Sequence, residues 1–359
     1  MRQVMRISFK GYKEIRNKLG EAMTKNEELN QALQLHLERL TEEKRLHGAK
    51  YRVALCRSVV AEGAVGIASP LVDIQSITKL FTAVAVLQLW EKGKLLLEDS
   101  VAKFLPEFRK KPFSKITILH LLTHTSGLAA LQDAFPERDL TWESDVDRKN
   151  VGGTWITAIL KRGLYFEPGT KWEYSKAGFC ILGEIIQRIV GQKVEDYIKK
   201  AILLPCEMTE SHWNREMDPI WDVIPKTTWG LMTPIEELVQ FGVMLAEGGI
   251  YNGKRILSED SIELLETNFL PIDMKDHCWD HGGKPIAYGA GCPVYVPGYE
   301  PQWTVGEHTI YQEGSGASML LVNREKRLAA AWTTPFTDRG GWCEEAVKGT
   351  ASVVWEYVK

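Results

Sequence analysis

Leu29, Ala32, Leu33, His36, Leu37 and Leu40 recur at three- and four-residue steps and predict one amphipathic helix before Gly48. Tyr51 to Cys56 and Ala64 to Ala68 read as short strands, with Glu62-Gly63 as the turn of a hairpin between them. Ile77 to Trp90 is almost continuously apolar and is followed by Gly93, the pattern of a helix buried on most sides and closed by a glycine cap. From about residue 100 to 225 helical patterns dominate, over Ile116 to His124, Gly153 to Leu160, Gly178 to Val190 and Val194 to Ala201, and strand signals are scarce. After a helix from Thr233 to Gly248, the stretches Ile286 to Val296, Thr309 to Gln312, Ala317 to Val322 and Leu328 to Trp332 look like sheet, with Asn323 to Lys326 as a polar turn between the last two. Trp342 to Tyr357 then predicts a closing helix.

The order of these elements predicts an α+β fold: an antiparallel sheet drawn from both ends of the chain, flanked by helices, with a helical lobe inserted between its halves. Within a single catalytic domain of two lobes, residues 1–45 are expected to form a packing segment. Residues 46–99 and 226–359 would make the sheet-containing lobe and residues 100–225 the helical lobe. The crevice between lobes is the expected place for a site.

Composition narrows the class without naming a function. Hydrophobic residues make up 44% and charged residues 25% of 359, with a net charge of −3, the ordinary mix of a globular protein. No basic stripe interleaved with aromatics is present, which argues against a nucleic-acid partner. Cys56, Cys180, Cys206, Cys278, Cys292 and Cys343 are widely spaced and read as free thiols. The basic N-terminus has no apolar run after its charges, so neither a leader nor a membrane anchor is expected, and a cytoplasmic location follows as the default.

Chemistry concentrates at Ser76-Ile77-Thr78-Lys79. The spacing puts the serine and lysine on one helical face, at the start of the buried helix, where they can touch. The positive helix end favours an alkoxide and an oxyanion, while it and burial disfavour an ammonium, leaving neutral amine to act as base. The bland alternative is a serine N-cap beside a lysine that reaches solvent. A second match, Ser100 to Lys103, follows Glu98-Asp99 and is better explained as a cap. His277, Cys278, Asp280 and His281 crowd metal-like identities together, but Gly282, Gly283 and Pro285 make that stretch a loop, so no metal is expected. His120 and His124 share a face and suit a hydrogen-bonded structural role. No G-x-S-x-G occurs, and no phosphate-binding glycine loop. Of the 12 tryptophans, those in the helical lobe read as core.

Several blocks in order carry a resemblance. Ser76-Ile-Thr-Lys through Leu95, Leu119-His-Leu-Leu-Thr-His-Thr-Ser-Gly-Leu128, Glu167-Pro-Gly-Thr170, Tyr174-Ser175, Leu182 to Ile186 and Gly248 to Leu257 resemble the serine β-lactamase-like family. That family includes class C β-lactamases, DD-peptidases, esterases and acyltransferases. The resemblance implies a β-lactamase/transpeptidase-like fold and a serine hydrolase that forms an acyl-enzyme on an ester, or transfers the acyl group to a small acceptor. It implies Ser76 as nucleophile, Lys79 as base and Tyr174 as a third proton-handling group. Lys176 stands where the family's Y-x-N motif has asparagine. Gln312-Glu313-Gly314 falls at the triplet that usually carries a cation, with the backbone N–H groups of Ser76 and Ser315 as oxyanion hole. Lys176, Gln312 and Gly314 are thereby candidate substrate contacts. A small acyl compound is the expected partner, with no cofactor. Alternatives are a β-lactamase or D-amino-acid peptidase, or, because Lys176 and Gln312 depart from the motifs, a binding protein that keeps the fold without turnover.

Overall fold

A computed structural model describes residues 24–128, 155–214, 224–274, 285–299, 305–335 and 344–359. Helix α1 (Lys25–Glu42) opens with a capping box in which Thr24 and Glu27 satisfy each other's backbone N–H groups, and it buries Leu29, Leu33, Leu37 and Leu40. Strands β1 (Gly48–Leu55) and β2 (Ser58–Gly66) follow, then the short β3 (Val72–Asp73). Helix α2 (Thr78–Glu91) is buried from Thr78 through Leu89, as its lack of a polar face requires. Then come α3 (Ile118–Leu122), α4 (Trp155–Lys161), α5 (Lys176–Val190) and α6 (Val194–Ile198), which continues as one π turn to Leu203. Strands β4 (His212–Trp213) and β5 (Leu231–Thr233) join β3 in a small sheet, and α7 (Ile235–Ala246) leaves from it. A short hairpin, β6 (Ile250–Tyr251) and β7 (Lys254–Arg255), leads to α8 (Glu259–Glu266). Strands β8 (Ile310–Gly314), β9 (Ser318–Asn323) and β10 (Leu328–Thr333) and helix α9 (Thr350–Val358) complete the order.

The main sheet has five antiparallel strands in the order β2-β1-β10-β9-β8, so its halves come from opposite ends of the chain and meet where β1 pairs with β10. Period-two alternation assigns each strand residue to one of two cores. Leu320, Val322, Ala329 and Ala331 face the core built on α2 and α7, and Met319, Leu321, Ala330 and Trp332 face the one built on α1 and α9. Gly242 lets α7 settle on the sheet: a Cβ there would stand 3.0 Å from both Ala329 Cβ and Leu320 Cδ1.

Two expectations are corrected. The hairpin turns at Cys56-Arg57, between the paired Leu55 and Ser58, and both turn residues have positive φ (47° and 71°), as a type I′ turn requires. Glu62-Gly63 lies inside β2, where Gly63 faces Tyr51 and a Cβ would meet the Tyr51 hydroxyl oxygen at 2.5 Å. The glycine makes room for a ring. The apolar run Ile286 to Val296 is no strand: it folds back on itself at an isolated bridge, Tyr288 to Pro293, and meets β8 through another, Val294 to Ile310. It bends at Gly289 and Gly291 against the end of α8, so close that a Cβ on Gly289 would lie 1.9 Å from Leu265 O. Burial, which period alone cannot separate from strand pairing, explains its composition. Cys56, Cys180, Cys206 and Cys292 are free thiols. Cys278, Cys343 and the cluster around His277 and His281 lie outside the described residues. Among the described residues no helix is long and apolar enough to cross a membrane.

Candidate active site

Ser76 sits on a turn that the neighbouring backbone holds under strain. Asp73 Oδ1 accepts from the backbone N–H of Gln75 at 2.8 Å and of Gly230 at 3.1 Å, tying the chain leaving β3 to the start of β5. Gln75 is thereby held at φ 53°, a left-handed conformation that costs a residue with a Cβ roughly 1–2 kcal/mol. Burial raises the pKa of the Asp73 carboxyl, opposed by those two N–H groups. A single 3₁₀ turn, Gln75–Ile77, then carries Ser76 into α2, so the serine stands just ahead of the helix.

Lys79, one turn on and 1% exposed, donates from Nζ to Ser76 Oγ at 2.9 Å and to the carbonyl oxygen of Thr228 at 3.0 Å. Burial, seconded by the charge of Lys176, holds its amine well below the ordinary lysine pKa. From the other side Tyr174 donates its hydroxyl to Ser76 Oγ at 2.8 Å, and Lys79 Nζ lies 4.8 Å from the centre of the Tyr174 ring. The structure thus brings Ser76, Lys79 and Tyr174 together within hydrogen-bonding distance.

Tyr174 reaches the site from the segment before α5, whose N-cap Ser175 accepts from the N–H of Gly178 at 3.2 Å. Lys176 is the first residue of α5, partly exposed, and has no ion-pair partner among the described residues. Opposite, Gly314 ends β8 so close to the serine turn that a Cβ would come within 2.7 Å of Ile74 O and 3.3 Å of Gln75 Cβ. Gln312 shares that face of β8 and is 3% exposed. Its Nε2 donates to the Glu313 carbonyl at 3.3 Å, and its Oε1 is a buried acceptor with no partner. Ser315 is exposed in the turn just beyond Gly314.

Residues outside the motif positions complete the surroundings. Trp172, Leu270, Met274, Ile286 and Tyr288 cluster with Tyr174 as an apolar wall, and burial raises the Tyr288 phenol well above its ordinary pKa. His120 caps α3, its Nδ1 accepting from the N–H of Thr117 at 3.2 Å, and His124 lies against Tyr174 with ring centres 4.5 Å apart. Ser100 caps a 3₁₀ turn, accepting from Ala102 N–H at 3.2 Å. Among the described residues no group of His, Cys, Asp or Glu side chains is arranged to hold a metal ion.

The model of the beta-lactamase family matches residues 33–341, spanning the whole of this site. The chain belongs to the beta-lactamase family. Over 241 residues it is 38% identical to penicillin-binding protein 4* of Bacillus subtilis (strain 168), covering 62% of this chain and 51% of that protein, so it matches about half of that relative's length. Among solved structures it resembles a putative beta-lactamase from Bacteroides dorei DSM 17855, with a TM-score of 0.70, 21% identity and coverage of 91% and 98% of the two chains. It also resembles EstCE1, described as a hydrolase with promiscuous acyltransferase activity, with a TM-score of 0.71, 16% identity and coverage of 92% and 99%. At these identities the two structures show the beta-lactamase-type fold, and the membership rests on the family match.

Proposed function

We propose that this chain is a serine hydrolase that works through an acyl-enzyme and prefers esters without a carboxylate near the reacting carbonyl. The observation that carries the reading is Ser76 Oγ set between an amine at 2.9 Å and a phenol at 2.8 Å. Lys79, whose amine burial holds well below the ordinary lysine pKa, takes the Ser76 proton as Oγ attacks the ester carbonyl. The tetrahedral oxyanion would lie between the backbone N–H groups of Ser76 and Ser315. Tyr174 returns a proton to the departing alkoxide oxygen, and water or a small alcohol or amine then attacks the acyl-serine, with proton transfers in reverse. No step calls for a metal or cofactor.

The preference for neutral esters follows from charge. Gln312, buried with its Nε2 engaged by the Glu313 carbonyl, brings no positive charge to this strand to meet a carboxylate. The cation that β-lactam recognition would use is absent at this strand, and Lys176 lies on the opposite wall. One mispaired charge at about 6 Å and an effective dielectric constant of about 20 costs ~2.8 kcal/mol, roughly a hundredfold in rate. Transfer to an acceptor other than water is supported by the likeness to EstCE1.

A fluorophosphonate probe with mass mapping, beside rates on a short-chain p-nitrophenyl ester and a chromogenic cephalosporin, tests this reading. Label is expected on Ser76, with none on Ser100, and Ser76→Ala should lose about 10³-fold or more in turnover. The ester should lead the cephalosporin by about 100-fold in kcat/KM. No label and no turnover would point to a binding protein. Equal or faster cephalosporin turnover would show that Lys176 supplies the missing cation.

A further inference from the structure

We infer that His124 is a positioning residue that sets Tyr174 against Ser76 by holding the backbone on both sides of the tyrosine. This rests on the acyl-enzyme reading above and goes beyond it. The carbonyl oxygen of His124 accepts from the N–H of Glu173 at 3.0 Å. Its side-chain Nδ1 accepts from the N–H of Ser175, also at 3.0 Å. Residues 173 and 175 are therefore both tied to one histidine, so the backbone that carries Tyr174 is held on both sides while its hydroxyl reaches Ser76 Oγ at 2.8 Å. The imidazole also lies along the Tyr174 ring, with centres 4.5 Å apart at 32°, so backbone and ring are held from the same side.

Only a neutral imidazole with its proton on Nε2 can make this clamp, because Nδ1 must offer a lone pair. The surroundings enforce that state. His124 is 1% exposed, ringed by Trp172, Phe179 and Tyr288 at 5.8, 5.1 and 5.2 Å between ring centres. Burial and the nearby Lys79 amine hold its pKa well below the ordinary histidine value. Its Nε2 is buried without a hydrogen-bond partner, so the ring's one side-chain hydrogen bond is the one to Ser175. The residue also adopts φ 57°, left-handed, as the chain turns out of α3. A strained backbone and an unpaired buried N–H are retained together where the Nδ1 bond is needed.

Displacing a proton-handling group by about 1 Å costs on the order of 10²-fold in rate. His124→Leu removes the acceptor but keeps apolar bulk. His124→Asn keeps a side-chain oxygen near the Nδ1 position and tolerates left-handed backbone. Steady-state ester kinetics on the two variants, alone and with Tyr174→Phe, test the inference. His124→Leu is expected to lower kcat about 100-fold with KM within about twofold, and His124→Asn to stay within about tenfold of the parent. In the Tyr174→Phe background, His124→Leu should cost less than about threefold more, since a misplaced phenol and a missing one are equivalent. Should the leucine variant not fold, His124→Met, also without an amide or imidazole acceptor and more adaptable, carries the same comparison. Full multiplication of the two losses, or equal kcat in the leucine and asparagine variants, overturns the positioning role while leaving the acyl-enzyme reading standing. An unchanged kcat in Tyr174→Phe alone also overturns the positioning role, whereas absence of label on Ser76 is what overturns the acyl-enzyme reading.

Discussion

The Lys79 amine links the proposed chemistry to folding through its buried proton site. An unfolded lysine holds its proton up to a pKa of about 10.4, whereas the folded Lys79 gives it up well below that. Between the two values the unfolded chain binds more protons, so this group makes the protein more stable as pH rises and less stable as pH falls toward the folded pKa. Other groups cancel when the parent is compared with Lys79→Met. The difference in unfolding free energy between the two, measured by urea denaturation at pH 7, 8 and 9, is expected to move in the parent's favour by up to about 1.4 kcal/mol per pH unit. A flat difference would mean that the amine is an ordinary ammonium and that another group serves as base. Lys79 was legible in the sequence because its partner is three residues away, on the turn that leads into the same helix. The carbonyl that holds it in place was not, because Thr228 is 149 residues distant and presents only backbone. His124 was legible as a hydrogen-bonded structural residue, but its tie to the segment around Tyr174 was not, because its partners are N–H groups at 173 and 175, which no side-chain pattern marks.

Helices were easier to place from sequence than turns, and the β1–β2 hairpin shows why. The leucine period of α1 and the continuous apolar run of α2 are repeated signals, and each is confirmed many times along its length. A turn rests on two residues, and here the glycine sits elsewhere for a different reason. Gly63 faces the ring of Tyr51, whose hydroxyl donates to Gln34 Oε1 at 3.0 Å beneath α1, while Cys56 and Arg57 take left-handed φ without glycine's help. The two positions should therefore respond in opposite ways. Arg57→Gly relieves a left-handed side chain at the exposed turn, and even with the loss of its hydrogen bond to Asn252 it is expected to be neutral or stabilising by up to about 1 kcal/mol. Gly63→Ala forces the buried Tyr51 ring aside and is expected to destabilise by about 1–3 kcal/mol. Thermal melts of both variants decide it, and a larger loss at Arg57 would return the turn to Glu62-Gly63.

Because β1 and β2 come from the start of the chain and β8 to β10 from its end, the main sheet closes only when both ends are in place, and it stands as a wall between two cores. One core contains α2, which carries Lys79, and the other contains α1 and α9, which contribute nothing to the site. This architecture predicts that stability and turnover separate by which face of the sheet is disturbed. Leu33 is fully buried in the far core, and Leu33→Ala should cost about 2–5 kcal/mol. Phe241 on α7 stacks on Phe81 of α2 with ring centres 3.9 Å apart, two residues beyond Lys79, and Phe241→Ala should cost about 3–5 kcal/mol. Both variants are expected to melt early. Only the second should also lose turnover per folded molecule, by about tenfold or more, because α2 can settle into the space where the ring stood and carry the Lys79 amine off Ser76 Oγ. Ester kcat on samples corrected for folded fraction, set beside the melting temperatures, checks this. Equal losses of kcat in the two variants would mean that the sheet transmits packing defects from one face to the other, so that the helices at the chain ends help to set the site's geometry.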